Sequence, residues 1–300
     1  MWFKQAQIFS FKSTKTLDAN ELIQDLESLV FRACIPGLAS THGWVSPLVE
    51  EGAPLVYAVN DFLLVCLQFE DKVLPASVIR QELADKIKEI ETKEERKISA
   101  LQKQALKEQI TLNLLPRAFS KLSRTYAFID LKNNWLTIDT TASSKIETFI
   151  EFFKRSVLGT ELTAIETKKI APELTKWLIN NQVPQPFIAD KSCVLRDPAQ
   201  QTKVVRCQNQ DLFIGGIQTL LRDGNQVTEV SLNWHEHVTF TIVDNFTLKS
   251  IKYHDEVLNL AKENYDESEY QRFVSDFIIM TSTLRDVFTD LLKLFTNQTN

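Results

Sequence analysis

The chain has 300 residues, 44% apolar and 24% charged, enough to bury a sizeable core without disulfide or metal staples. Its seven glycines exclude collagen-like and low-complexity readings, and neither GxGxxG nor a Walker phosphate loop occurs around Gly215-Gly216 or elsewhere. The net charge of −5 argues against a uniformly basic nucleic-acid binder.

In chain order, the alternation of apolar residues predicts a first strand over 2–11. A helix follows over 17–30, with Asp18 as its cap and Leu22, Leu26, Leu29 and Val30 as one apolar stripe. Residues 34–54, with three prolines and three glycines, read as loop. Segments 55–59 and 62–69 form a hairpin closed at Asn60-Asp61. A projecting helical pair is predicted over 77–115. Ile79, Leu83, Ile87 and Ile90 share one face of it, and Ile98, Leu101, Ala105 and Leu112 continue the stripe. Lys103 and Lys107 lie opposite, and Pro116 ends the helix because it has no amide hydrogen.

A second hairpin runs over 125–131 and 135–140, turning at Asn133-Asn134. Helices follow over 144–157 and 172–180, and the proline-punctuated stretch 183–197 reads as a junction or an edge strand. Then come a short strand over 203–206, a helix over 211–222 and three strands over 227–234, 237–243 and 246–253. The clearest element is last: Tyr270, Phe273, Val274, Phe277, Leu284, Phe288, Leu291 and Phe295 keep helical spacing. Hairpins without regular βαβ alternation define an α+β fold with antiparallel sheets and a long C-terminal helix.

The charge is unevenly spread. Residues 96–124 hold seven cations (Arg96, Lys97, Lys103, Lys107, Arg117, Lys121 and Arg124) against Glu108 alone, a local +6; the remainder therefore carries −11. From residue 255 onward nine acids face four cations. Such a division makes local potential matter more for partners than the sum does, while the plain reading is lysines that solvate a helix face.

Signs of catalysis are few. The His235-x-His237 pair would share one strand face and could supply two zinc ligands, with Cys207, His254 or Asp255 as a third, or could simply be strand-end histidines. No GxSxG elbow is present. The four cysteines, at 34, 66, 193 and 207, form neither a CxxC pair nor a dense framework and read as buried free thiols in a reducing compartment. No leader segment opens the chain and no apolar run is long enough to span a bilayer, so a cytoplasmic protein is expected. Residues 114–121, Leu-Leu-Pro-Arg-Ala-Phe-Ser-Lys, combine a helix stop, two cations and an aromatic. They suit a loop offering phosphate contacts, with Phe119 either stacking outward or anchoring the loop to the core.

These residues, with Trp2-Phe3-Lys4, Gly43-Trp44-Val45, Lys72-Val73-Leu74-Pro75, Gln210-Asp211-Leu212, Leu248-Lys249, Asp255-Glu256 and Asp276-Phe277-Ile278, resemble the bacterial recombination-associated RdgC family along nearly the whole chain. The resemblance implies a non-enzymatic DNA-binding protein for duplex and single strands, with no cofactor and little sequence preference. It implies a ring-shaped homodimer, basic inside, that associates with the nucleoid and restrains RecA-promoted strand exchange by occupying DNA. It implies a central part (1–75 with 117–165), a helical tip (76–116) and a base (166–300). On that view Arg117, Lys121, Arg124, Lys103 and Lys107 face DNA from the inner surface, and Phe119 closes the dimer at the tip. Gln210 matches a polar residue near DNA. Gln208 and Asn209 are neutral where relatives often carry lysine, leaving Lys203 and Arg206 to compensate. The rival reading is a scaffold whose 77–115 helices bind another protein without any DNA.

Overall fold

Alternating apolar residues pair into hairpins along most of the chain, and the computed structural model joins the hairpins into one sheet. It describes residues 1–15, 17–50, 52–200, 202–263 and 268–296. The first half contains β1 (Ala6–Ser13), α1 (Ala19–Glu27), β2 (Ser40–Val45), β3 (Val56–Val59), β4 (Phe62–Val73), α2 (Ala76–Glu94), α3 (Ala100–Leu114), β5 (Phe119–Asp130), β6 (Trp135–Ile138), α4 (Ser143–Ser156) and β7 (Thr160–Ala164). The second contains α5 (Ile170–Ile179), β8 (Phe187–Arg196), β9 (Val204–Cys207), α6 (Gly215–Arg222), β10 (Gln226–Trp234), β11 (Val238–Val243), β12 (Thr247–Tyr253), α7 (Asp255–Glu263) and α8 (Glu269–Phe295). The strands run β2-β4-β5-β6-β1-β12-β11-β10-β8-β9, with β3 beside β4 and β7 beside β1. Every strand pairing is antiparallel, the expected α+β class.

Local chemistry sets the turns. Asn60 and Asn134 adopt φ of 51° and 55°, the left-handed conformation that tight hairpins require and asparagine tolerates. Asp18 caps α1 by accepting from the amides of Asn20 (2.7 Å) and Glu21 (2.9 Å).

Both faces of the sheet are used. On one, Ala6, Ile8, Phe62, Leu64 and Phe128 join Leu232, Phe240, Ile242 and Leu248 in a core with α8, which contributes Phe277, Met280, Leu284, Val287, Phe288 and Leu291. Burial of each such side chain is worth roughly 1.5–3 kcal/mol. On the other face, Phe9, Phe11, Val65, Leu67, Ala127 and Ile129 pack under α1 and α4. That second face has helices over its first half only, and this positions the site described below.

Several expectations require correction. Residues 34–54 contain β2, because Gly43 lets the preceding chain approach: a Cβ there would fall 2.3 Å from the Phe31 Cα. The 114–121 segment is not a loop throughout; a 3-10 turn, Leu115–Arg117, leads directly into β5 at Phe119. β7 was unmarked in the sequence, and β8 is an interior strand between β10 and β9 rather than a junction or edge. The projecting pair α2–α3 forms as expected and buries no residue within either helix. The inward side of α3, however, carries half-buried Leu106, Ile110 and Leu114, while Leu101 and Leu112 are 82% and 57% exposed. Two apolar stripes share the same period, and packing chooses between them. Among the described residues no helix is long and apolar enough to cross a membrane.

Candidate nucleic-acid interface

Where the tip joins the sheet, Arg117, Lys121 and Arg124 are all exposed. They do not form one patch. β5 pairs with β4 without a bulge from Phe119↔Val73 to Phe62↔Asp130, so its side chains alternate strictly between the two faces. Lys121 leaves on the α4 side, the side on which Lys145 donates to Ser123 Oγ at 3.0 Å and lies 5.3 Å from the Phe69 ring. Arg124 leaves on the α8 side, where its Nε donates to Gln68 Oε1 at 3.2 Å. The inner surface that the resemblance implies for them would have to draw on both faces of β5.

On the same face, four residues further along β4 from Gln68, lies a cation that the sequence did not mark. Lys72 Nζ donates to Ser120 Oγ (2.8 Å) and stands 3.8 Å from Glu70 Oε1. Glu70 accepts from Ser120 Oγ (2.5 Å) and from the Cys34 amide (2.8 Å), and these bonds, with Lys72, hold its carboxyl below the usual range. Lys103 and Lys107 project from α3, exposed and without an ion pair among the described residues. Phe119 is 86% exposed, which decides against the core-anchor alternative; Leu115, at 5%, takes the buried place.

The remaining candidates lie at the far end of the sheet. Lys203, Arg206 and Gln210 are exposed just before, on and after β9; Lys203 is 3.9 Å from Asp197, and the Gln210 amide donates to the Lys191 carbonyl. Arg206 borders a groove of about 440 Å³ on the helix-free half of the sheet. Lys191, Lys249 and Lys252 line it with Arg206, and Ser192, Ser231, Thr239 and Thr241 add hydroxyls. Its acids are engaged: Glu229 accepts from Lys249 Nζ at 3.1 Å and Asp190 from Ser231 Oγ at 2.9 Å. Four cations against two carboxylates leave the groove net positive. The signal was available, because Ser231, Thr239, Thr241 and Lys252 alternate with core residues on β10–β12. What lacked was a reason to bring β9 beside them.

The strand face expected to be shared by His235 and His237 is not formed. His235 and Glu236, at φ of 51° and 61°, form the β10–β11 turn, so His235-x-His237 does not share a strand face. His237 Nε2 pairs with Glu256 at 2.9 Å, and His254 bonds Thr239 Oγ1 and the Glu236 carbonyl. Among the described residues no three of His, Cys, Asp and Glu gather where they could hold a metal ion.

Comparison with known proteins identifies the relatives. A family model described as "Putative exonuclease, RdgC" matches residues 1–298. The recombination-associated protein RdgC of Proteus mirabilis (strain HI4320) is 30% identical over 296 residues, 98% of each chain. The chain belongs to the RdgC family. The proteins of the same name from Yersinia enterocolitica and Yersinia pestis are each 30% identical over 295 residues, 98% of this chain and 97% of theirs.

The two RdgC descriptions pull apart, one naming a nuclease and the other a role in recombination. No catalytic activity is established by either. Asp130, 1% exposed, receives Arg285 Nε and Nη2 at 2.6 and 2.7 Å, tying α8 to the β5–β6 turn.

Proposed function

We propose that this chain is a non-enzymatic DNA-binding protein that engages duplex and single strands through their phosphates. The observation that carries the reading is the cation-lined groove on the open half of the sheet. There Arg206, Lys191 and Lys252 are free of ion pairs among the described residues, and serine and threonine hydroxyls flank them. Such a lining neutralises phosphates, and its serine and threonine hydroxyls donate to phosphate oxygens. Lys121 leaves the same face of the sheet, while Arg117, Lys103 and Lys107 extend the positive surface towards the tip. Arg124, Lys203 and Gln210 are supporting contacts in this scheme.

Two copies close into a ring homodimer, with Phe119 at the tip contact, and the ring restrains RecA-promoted strand exchange by occupying DNA. An outer surface richer in acids keeps a net charge of −5 compatible with a basic interior. The nucleoid of the cytoplasm is the corresponding location.

The test is fluorescence anisotropy with labelled duplex and single strands of two unrelated sequences across a salt series. Affinity falls with a log–log slope of about −0.9 per phosphate neutralised on duplex and is indifferent to sequence. Lys191→Gln with Lys252→Gln lowers that slope by about 2 on every sequence. An unchanged slope rejects the groove, and no binding at low salt rejects the DNA reading in favour of a scaffold role for 77–115. Nucleotide release from end-labelled DNA with magnesium or manganese would instead support the nuclease named by the family description.

A further inference from the structure

Cys193 on β8 and Cys207 on β9 stand directly opposite one another in the antiparallel register. Opposed residues on neighbouring strands have Cβ atoms about 4.5–5.5 Å apart, adjoining the roughly 3.5–4.5 Å that a disulfide spans. Cys193 is 3% exposed, whereas Cys207 is half-buried on the terminal strand of the sheet, open to reagents from outside. β9 has four residues and one strand neighbour, so little beyond its ladder holds it in place. The same strand presents Arg206 on its other face, and Gln208 and Asn209 continue along the groove rim.

We propose that Cys193 and Cys207 form a reversible disulfide with glutathione disulfide or a similar small disulfide as oxidant, and that the bond pins the groove rim. The Cys207 thiolate attacks one sulfur of glutathione disulfide, forming a mixed disulfide and expelling one glutathione thiolate. The Cys193 thiolate then attacks Cys207 Sγ and expels the second glutathione. Two protein thiols lose two electrons in all, one glutathione disulfide becomes two glutathiones, and these take up both protons. Burial, and then the Cys207 neighbour, hold the Cys193 thiol above the usual range, so the less buried Cys207 attacks first. A cross-link fixes β9 against β8 and pre-organises Arg206 with residues 208–210. That consequence rests on the DNA-binding reading above; the disulfide itself does not.

The full chain is equilibrated with graded ratios of glutathione disulfide to glutathione, alkylated and mapped by mass spectrometry. Free thiols fall from four to two as a Cys193–Cys207 peptide appears and Cys34 and Cys66 stay alkylatable. Cys193→Ser stops at a mixed disulfide on Cys207. The cross-linked protein binds labelled duplex about threefold more tightly, with an unchanged salt slope, because less freedom is lost on binding. Four thiols surviving in glutathione disulfide alone, or a cross-link through Cys34 or Cys66, overturns the pairing. A correct cross-link with unaltered affinity overturns its effect on the rim. A correct cross-link in a protein that binds no DNA in either form overturns the DNA reading and leaves the disulfide standing.

Discussion

Asp139 shows how burial at a single residue makes stability depend on pH. Its carboxyl is pushed up to about 6 by burial, against the pull of the Gln5 and Lys4 amides and the Lys4 charge. The folded state therefore holds this proton more tightly than the unfolded chain, where an aspartate titrates near about 3.9. The stability it contributes is complete below that lower value and is lost as pH rises through about 6. Asp139→Asn keeps an acceptor for the Gln5 amide and removes the charge. In urea titrations it is expected to be more stable than wild type by about 1–2 kcal/mol at pH 8, with the gap closing towards pH 4. A gap independent of pH would assign the gain to something other than ionisation. Residue type and position were plain in the sequence here, but the desolvation was not, since it comes from elements folded over the site.

Among the elements, α8 is the one most completely foreshadowed and also the one with the largest omission. Its aromatic spacing placed Phe277, Leu284, Phe288 and Leu291 in the core, and all are buried. Tyr270, on the same periodic stripe, is 46% exposed, with its ring edge-on to Tyr57 of β3 at 6.2 Å. Nothing in the periodicity marked Arg285, which makes a two-pronged bond to Asp130 across 155 positions and lies 4.1 Å from the Phe62 ring centre. Asp130 also accepts from the Lys132 and Asn133 amides, so one carboxylate shapes the turn and anchors the helix. Arg285→Ala leaves that carboxylate buried and half-satisfied, with an expected loss of about 3–5 kcal/mol by chemical denaturation. Adding Asp130→Asn should recover part of it, and strictly additive losses would deny the coupling. In the tip, Lys86 (2.6 Å) and Lys93 (2.8 Å) bracket Glu89 and hold its carboxyl down at about 2. This support for α2 is full above the ordinary glutamate range and fades as pH falls towards 2.

For the whole molecule, charge division and exposed apolar groups lead to different experiments. Phe119→Ser is expected to leave the protomer's melting temperature unchanged, because an 86% exposed ring has little packing to lose. If the proposed dimer closes through this ring, the same change shifts sedimentation velocity from dimer towards monomer. A lowered melting temperature with an intact dimer would reverse both assignments. The basic run 96–124 was visible in the sequence, yet the groove that carries the DNA reading draws its cations from residues 191–252, outside that run.

The sequence alone determined the α+β class, the hairpins at Asn60 and Asn134, the cap at Asp18, the α2–α3 helical pair and the family, because each is written in neighbouring residues or in local order. Tertiary structure alone decided that Lys121 and Arg124 diverge and that His235 lies in a turn. It also set Cys193 against Cys207 and made the cationic groove from β8–β12. Those outcomes depend on strand register, and register is fixed by the burial of whole faces against helices distant in the chain.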